Sequence, residues 1–234
     1  MALDDKDYDQ SWEKAYGKGE QLNRYPYDMI VSIVMRLFKS IKDKKTIKVL
    51  DLGCGAGNNS AFLAKEGFTI TGIDASKSAI QYVTERFNAE NLDGDFHVLE
   101  FSKLDQLNSK FDLVIDRQSL SHQSFANAKN IVRAINSLLN TNGLFLSMFH
   151  NIHHPGFSEC LKHASRQENN TFLFPDKPSV NFSGARRVTL LDTKLHEELY
   201  KDFQIVEMYN HIVKSIKGNS FSEMGEYISL LKKC

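Results

Sequence analysis

The stretch Val49-Leu50-Asp51-Leu52-Gly53-Cys54-Gly55-Ala56-Gly57-Asn58-Asn59-Ser60 constrains the fold more than any other part of the chain. A segment with the character of a buried strand runs into three alternating glycines, and a helical segment follows. Glycine is needed where the backbone takes a positive φ or lets a ligand come within contact distance of the main chain. Amides at the start of the following helix then face that ligand and favour negative charge. A dinucleotide fingerprint would need its third glycine at position 58, where this chain has Asn58, so the order here is Gly-x-Gly-x-Gly. A plain tight strand-to-helix turn would use the same glycines. The next strand, Thr69-Ile70-Thr71-Gly72-Ile73-Asp74, favours a nucleoside site because it ends on an acid. An acid at that place in a nucleotide-binding βαβ unit accepts both ribose hydroxyls, and hydrogen bonds to a charged acceptor are the stronger kind. Asp74 also precedes the helix opening at Ser76, where a negative charge is favourable. The two roles are compatible.

The rest of the chain agrees with a parallel sheet wrapped by helices. All four prolines (Pro26, Pro155, Pro175, Pro178) lie outside Tyr27 to His154, so that interval is free of the strongest breaker. Short β-branched runs alternate there with segments of helical period. Strands are expected at Ile47 to Leu52, Phe68 to Asp74, Phe96 to Phe101, Phe111 to Asp116 and Leu144 to His150. Helical faces are expected from Ile30, Val34, Leu37 and Ile41, from Ala79, Ile80, Val83 and Phe87 behind a Ser76 N-cap, and from Ile131, Ile135 and Leu138. From Pro155 to Asn181 no period is evident, which reads as a long insertion or lid. Beyond it, Arg187 to Leu191 suggests a strand and Lys194 to Tyr200 a short helix. Phe203 to Tyr209 and Glu223 to Leu231 suggest two closing strands.

The motifs resemble those of class I S-adenosylmethionine (SAM) dependent methyltransferases. The resemblance rests on Val49 to Gly57, Gly72-Ile73-Asp74-Ala75-Ser76, Phe111-Asp112-Leu113-Val114-Ile115-Asp116 and Leu138-Leu139-Asn140-Thr141-Asn142-Gly143-Leu144, in the family's order and spacing. Trp12-Glu13-Lys14-Ala15-Tyr16 and Arg24-Tyr25-Pro26 are similar to the segment that closes over the cofactor in small-molecule methyltransferases. What the resemblance implies is an α/β, Rossmann-like fold: a seven-stranded, mostly parallel sheet with helices on both faces, its sixth and seventh strands closing as an antiparallel pair. It also implies a single domain over 1–234, with cofactor-covering helices over 1–45, a SAM-binding core over 46–150, and a substrate lid with closing strands over 151–234. By the same resemblance, Asp51 and the backbone of Gly53 and Gly55, with Gly57 completing the turn, hold the amino acid end of SAM or of its product S-adenosylhomocysteine. Asp74 holds the ribose, Ala75 and Ser76 follow it at the adenine, and Glu100 with Phe101 meets the adenine edge. The backbone carbonyl of Asp116, with Gln118 nearby, faces the ammonium group, and Trp12, Tyr16 and Tyr25 cover the cofactor. Asn142-Gly143 departs from the usual Gly-Gly, which affects a turn rather than the site.

SAM already carries an activated methyl, so alignment of a nucleophile supplies much of the catalysis. A hydroxyl or amine nucleophile also needs a proton acceptor. His122, shortly after the fourth strand, and His150, at the end of the fifth, are the candidates, with His153 and His154 on the same loop. Each would otherwise be an ordinary loop or cap histidine. The set His150-x-x-His153-His154 lacks the carboxylates and helical spacing of a metal site, so no metal is expected. Lys plus Arg (29) balances Asp plus Glu (29), and the Asx-Pro-Pro-aromatic motif of nucleic-acid amino methyltransferases is replaced by Asp116-Arg117-Gln118-Ser119. A small-molecule acceptor is therefore expected, not a nucleic acid. The acidic start and three dispersed cysteines lead to the expectation of a cytoplasmic protein without a membrane span. Two other readings keep the same glycines and Asp74: a SAM-fold enzyme with non-methyl chemistry, and a noncatalytic nucleoside-binding regulator.

Overall fold

Val49, Leu50 and Leu52 are completely buried in β1 (Lys48–Leu52), so this strand needs apolar cover on both faces. The computed structural model describes residues 9–174, 179–216 and 223–234. Around β1 lie β2 (Thr69–Asp74), β3 (Asp95–Val98), β4 (Phe111–Arg117) and β5 (Leu139–His150), all parallel, in the order β3-β2-β1-β4-β5. The order reverses between β1 and β4. The crevice at their carboxyl ends is thus the switch point at which open α/β sheets hold ligands.

Alternate residues of β1 supply the two faces. On one side Val49 packs with Ile30, Ile33 and Val34 of α2 (Asp28–Leu37) and Leu63 of α3 (Asn58–Lys65). On the other, Leu50 and Leu52 join Ile131 and Ile135 of α5 (Phe125–Leu138). Between β2 and β3, α4 (Lys77–Ala89) buries Ala79, Ile80, Val83 and Phe87, and the Ser76 hydroxyl caps it by accepting from the Ala79 amide at 3.1 Å. Each large side chain so buried contributes about 1.5–3 kcal/mol.

Past β5 the chain forms α6 (Phe157–His163), then β6 (Ser165–Arg166), β7 (Thr171–Leu173) and β8 (Arg187–Thr189) in a small antiparallel sheet. After α7 (Thr193–Leu199), β9 (Phe203–Val213) and β10 (Met224–Lys233) complete the main sheet, with β10 antiparallel to both β5 and β9. The seven-stranded, mostly parallel α/β fold is therefore present, closing strands included. No helix among the described residues is long and apolar enough to cross a membrane.

Several local expectations need correction. The stretch from Pro155 to Asn181 is not irregular throughout: around Cys160, Phe172, Phe174, Phe182 and Val188 it builds its own small core. Strands of two or three residues are too short to display alternation, which is why the sequence shows no period there. The strand expected at Phe96 to Phe101 stops at Val98, because its neighbour β2 ends at Asp74, the partner of Val98, and Phe101–Gln106 winds into a 3-10 helix. Ile41 lies beyond the end of α2 and is exposed. β5 starts at Leu139, with an irregular register against Phe111 to Leu113 that accommodates Asn142 at φ +63. Asparagine tolerates that left-handed conformation, so the missing glycine costs the turn little.

Candidate active site

The three glycines after β1 have different roles. Gly53 and Gly55, at φ +69 and +51, line a cavity of about 450 Å³ above the switch point. A Cβ at Gly53 would overlap the Ser119 hydroxyl, and one at Gly55 would overlap the phenol oxygen of Tyr16. The turn therefore presents bare backbone beneath Tyr16. Gly57 does not reach the cavity. At φ +71 it is the N-cap of α3, and a Cβ there would overlap Val83 of α4, so its role is helix packing rather than the cofactor contact expected.

Asp74, at the carboxyl end of β2, lines the cavity and is 9% exposed. Its two oxygens accept from the Gly55 amide at 3.0 Å and the Ser76 amide at 2.8 Å. Burial pushes its pKa up to about 6, against the opposing pull of these two hydrogen bonds. Each oxygen retains an acceptor lobe for a ligand hydroxyl. Ala75, Glu100 and Phe101 line the same end, with Glu100 receiving the Lys103 ammonium at 3.4 Å. Ser76 is fully buried away from the cavity, as it caps α4 and donates to Glu13 at 2.6 Å. Glu13 also accepts from the Ser78 hydroxyl at 2.6 Å, and through these bonds α1 (Ser11–Gly17) is fastened to the start of α4. That anchorage sets Trp12 and Tyr16 over the glycine turn, whereas Tyr25 borders the cavity at 86% exposure.

The side chain of Asp51, expected at the amino acid end of the cofactor, lies beneath the cavity, and so does that of Asp116, of which only the backbone carbonyl is expected at the cofactor. Asp51 is buried on the α3 side, where it accepts from the Ser60 hydroxyl at 2.5 Å, and burial raises its pKa to about 6. Asp116 accepts from the amides of Ser119 (2.9 Å) and Leu120 (3.2 Å), and burial raises it to about 7. Neither borders the cavity. Alternation along β1 and β4 turns these side chains into the layers beside the sheet, where they brace the loops that do border it. Gln118, at φ +66, does border it, but its amide donates to Glu226 at 2.8 Å.

Beyond β4 and β5 the cavity is walled by rings. Trp12 and His122 lie 5.0 Å apart between centroids, His122 and His150 6.0 Å, His150 and His154 4.9 Å, and His150 and Phe182 5.2 Å. Burial lowers the pKa of His122, depresses that of His150 well below the ordinary value, and brings His154 to about 4, so all three rings are neutral near pH 7. His122 Nδ1 is 3.2 Å from the Arg187 carbonyl. A carbonyl only accepts, so Nδ1 carries the proton and Nε2 holds the lone pair. Among the described residues no group of His, Cys, Asp or Glu is arranged to hold a metal ion.

Sequence reasoning missed several cavity residues. Gln123 follows His122 in a polar run after a strand, which is a usable signal. Arg117 stacks at 4.8 Å over Tyr27, whose hydroxyl donates to the buried Glu226 at 2.9 Å. Glu226 itself lies behind the cavity lining, fully buried, and gives a clearer signal, since it is an acid within an apolar strand. Phe182 has none, because only the small sheet brings it to the wall.

The chain matches the family model described as a methyltransferase domain over residues 43–204. It is 28% identical over 137 residues to a protein of Geobacillus sp. (strain WCH70) named as a putative methyltransferase, covering 58% of this chain and 56% of that one. It thus spans about half the length of the first of its curated relatives. Malonyl-[acyl-carrier protein] O-methyltransferase of Acetivibrio thermocellus is 26% identical over 236 residues, with 90% of this chain and 80% of the relative covered. Among solved structures, the 1,6-didemethyltoxoflavin-N1-methyltransferase of Burkholderia thailandensis, with 1,6-didemethyltoxoflavin and S-adenosylhomocysteine bound, superposes with TM-score 0.67 at 16% identity. That alignment covers 96% of this chain and 86% of the other, a likeness of fold. With a family model spanning most of its length and the family's sheet order around a bare glycine turn, the chain belongs to the class I SAM-dependent methyltransferases.

Proposed function

We propose that this protein transfers a methyl group from SAM to an oxygen or nitrogen of a small-molecule acceptor. One observation carries the reading: the glycine turn with Asp74 and the ring wall with His122 border a single continuous cavity. The donor end fits SAM, since Gly53 and Gly55, at positive φ and with no room for a Cβ beside Ser119 and Tyr16, bring backbone to the cavity and Asp74 has acceptor capacity left. When bound, SAM supplies a methyl activated by its sulfonium.

This chain's residues then act in three ways. Gly53, Gly55 and Asp74 fix the cofactor, with Tyr16 and Trp12 as cover. The ring wall excludes water and aligns the acceptor, and such alignment accounts for a large share of the rate. His122 takes the acceptor's proton at Nε2, with His150 as the alternative base next along the wall; a base of this type contributes about 10²–10⁴-fold. The neutral state of both rings at pH 7 suits proton acceptance. The Burkholderia protein's small-molecule ligand supports an acceptor of that size class.

The test is calorimetry with S-adenosylhomocysteine and NAD, followed by transfer of labelled methyl from SAM into a metabolite extract. S-adenosylhomocysteine is expected to bind and NAD not to, because Asn58 opens α3 and donates to the Tyr25 carbonyl at 3.0 Å where a dinucleotide site has its third glycine. Tight NAD binding without S-adenosylhomocysteine binding would reverse the assignment.

A further inference from the structure

The part of the cavity that lies past β4 and β5 has two features that the nucleoside end of the cofactor site does not explain, although Trp12 borders both. The first is the run of side-chain rings, Trp12, His122, His150, His154 and Phe182, with neighbouring centroids 4.5–6.0 Å apart. These separations lie within the range in which aromatic rings pack on one another, so the wall presents edges and faces to which a further ring can stack. The second is a pair of unsatisfied polar atoms. Gln123 Oε1 and His150 Nδ1 have no hydrogen-bond partner, although both residues border the cavity and each is only 5% exposed. Buried polar atoms are nearly always paired, and leaving one unpaired is costly. The amide oxygen of Gln123 can only accept, so it calls for an O–H or N–H.

We infer that the acceptor is a flat aromatic or heteroaromatic ring bearing an O–H or N–H, stacked on this wall and held by Gln123 and His150. The inference rests on the methyl-transfer reading above and specifies its substrate class. The adenine of the cofactor is not the ring in question. Asp74 ends β2 and His150 ends β5, three strand spacings or about 14 Å apart across the sheet, so the nucleoside end and the ring wall are separate places. Burial keeps the three histidines uncharged, so the wall does not demand a charged partner. Gln123 is also held in place, since its backbone carbonyl accepts from Thr189 Oγ1 at 2.7 Å, which ties the residue to β8.

The experiment uses the full chain saturated with S-adenosylhomocysteine and two matched probe pairs: catechol against cis-cyclohexane-1,2-diol, and 2-naphthol against its decahydro analogue. Calorimetry is expected to give at least tenfold tighter binding for the aromatic member of each pair. Trp12 is the only tryptophan, so fluorotryptophan labelling gives one fluorine resonance, expected to shift with the aromatic probes and not with the saturated ones. Gln123→Met, close in volume, is expected to weaken the aromatic probes about tenfold and leave S-adenosylhomocysteine affinity within twofold. Equal affinity within the pairs, an unmoved Trp12 resonance, or full probe affinity in a folded Gln123→Met protein would each overturn the inference. If Gln123→Met fails to fold, the pair comparison and the resonance decide alone. Failure of S-adenosylhomocysteine to bind would overturn the methyl-transfer reading itself; binding of it without aromatic preference would overturn only the substrate class.

Discussion

Cofactor affinity should follow the ionisation of Asp74. Its carboxyl is raised by burial from 3.8 to about 6 in the free protein. It is then about 97% ionised at pH 7.5 and about 9% at pH 5, so a ligand whose ribose hydroxyls require the carboxylate binds about tenfold more weakly at pH 5. Stability of the free protein runs the other way. A folded pKa above the unfolded value gives a contribution that is complete below about 3.8 and lost as pH rises through about 6, and Asp51, also raised to about 6, adds to the trend. The rise in Tm on adding S-adenosylhomocysteine should therefore be larger at pH 7.5 than at pH 5. In Asp74→Asn the dependence on pH should flatten, and affinity at pH 7.5 should fall by about 1.5–3 kcal/mol, or about 10- to 150-fold. The asparagine keeps one acceptor oxygen for two backbone donors, Gly55 and Ser76, so the variant should also melt lower by about 1–3 kcal/mol of stability. Calorimetry at four pH values with both proteins, together with melts at each pH, reads all of this. A wild-type dissociation constant that is flat from pH 5 to 7.5, or an unchanged slope in folded Asp74→Asn, would refute the assignment of the ribose to this carboxylate.

Gly57→Ala should destabilise the fold by about 2–4 kcal/mol, from the left-handed backbone and the overlap with Val83, and Val83→Ala should restore part of the loss in a double-mutant melt. No restoration would deny the packing role. His122→Ala should lower kcat by about 10²–10⁴-fold with SAM affinity within about threefold, and in the wild type the acid limb of kcat should lie below the ordinary histidine value because burial disfavours the imidazolium. A loss under about fivefold with the true acceptor would leave His122 a structural role.

Local constraints along the chain are enough to specify the parallel core. Strands buried on both faces must be continuous apolar runs, helices must carry one apolar stripe, and the glycine turn with Asp74 can serve only at a strand end; these are local constraints, and Leu50, Val83, Gly53 and Asp74 all obey them. Local rules do not reach further. Asp51, Gly57 and Ser76 stand in the right motifs, but motif membership does not say whether a side chain faces the cavity or the layer that supports it. That depends on which neighbour occupies the space, and the neighbours are remote: Val83 for Gly57, Glu13 for Ser76. The ring wall was decided wholly by tertiary structure. Trp12, His122, His150 and Phe182 come from four separate segments, and no spacing links them. They meet because the anchorage of α1 through Glu13 and the packing of the small sheet bring distant parts of the chain over one switch point, a consequence of long-range packing that no window of sequence contains.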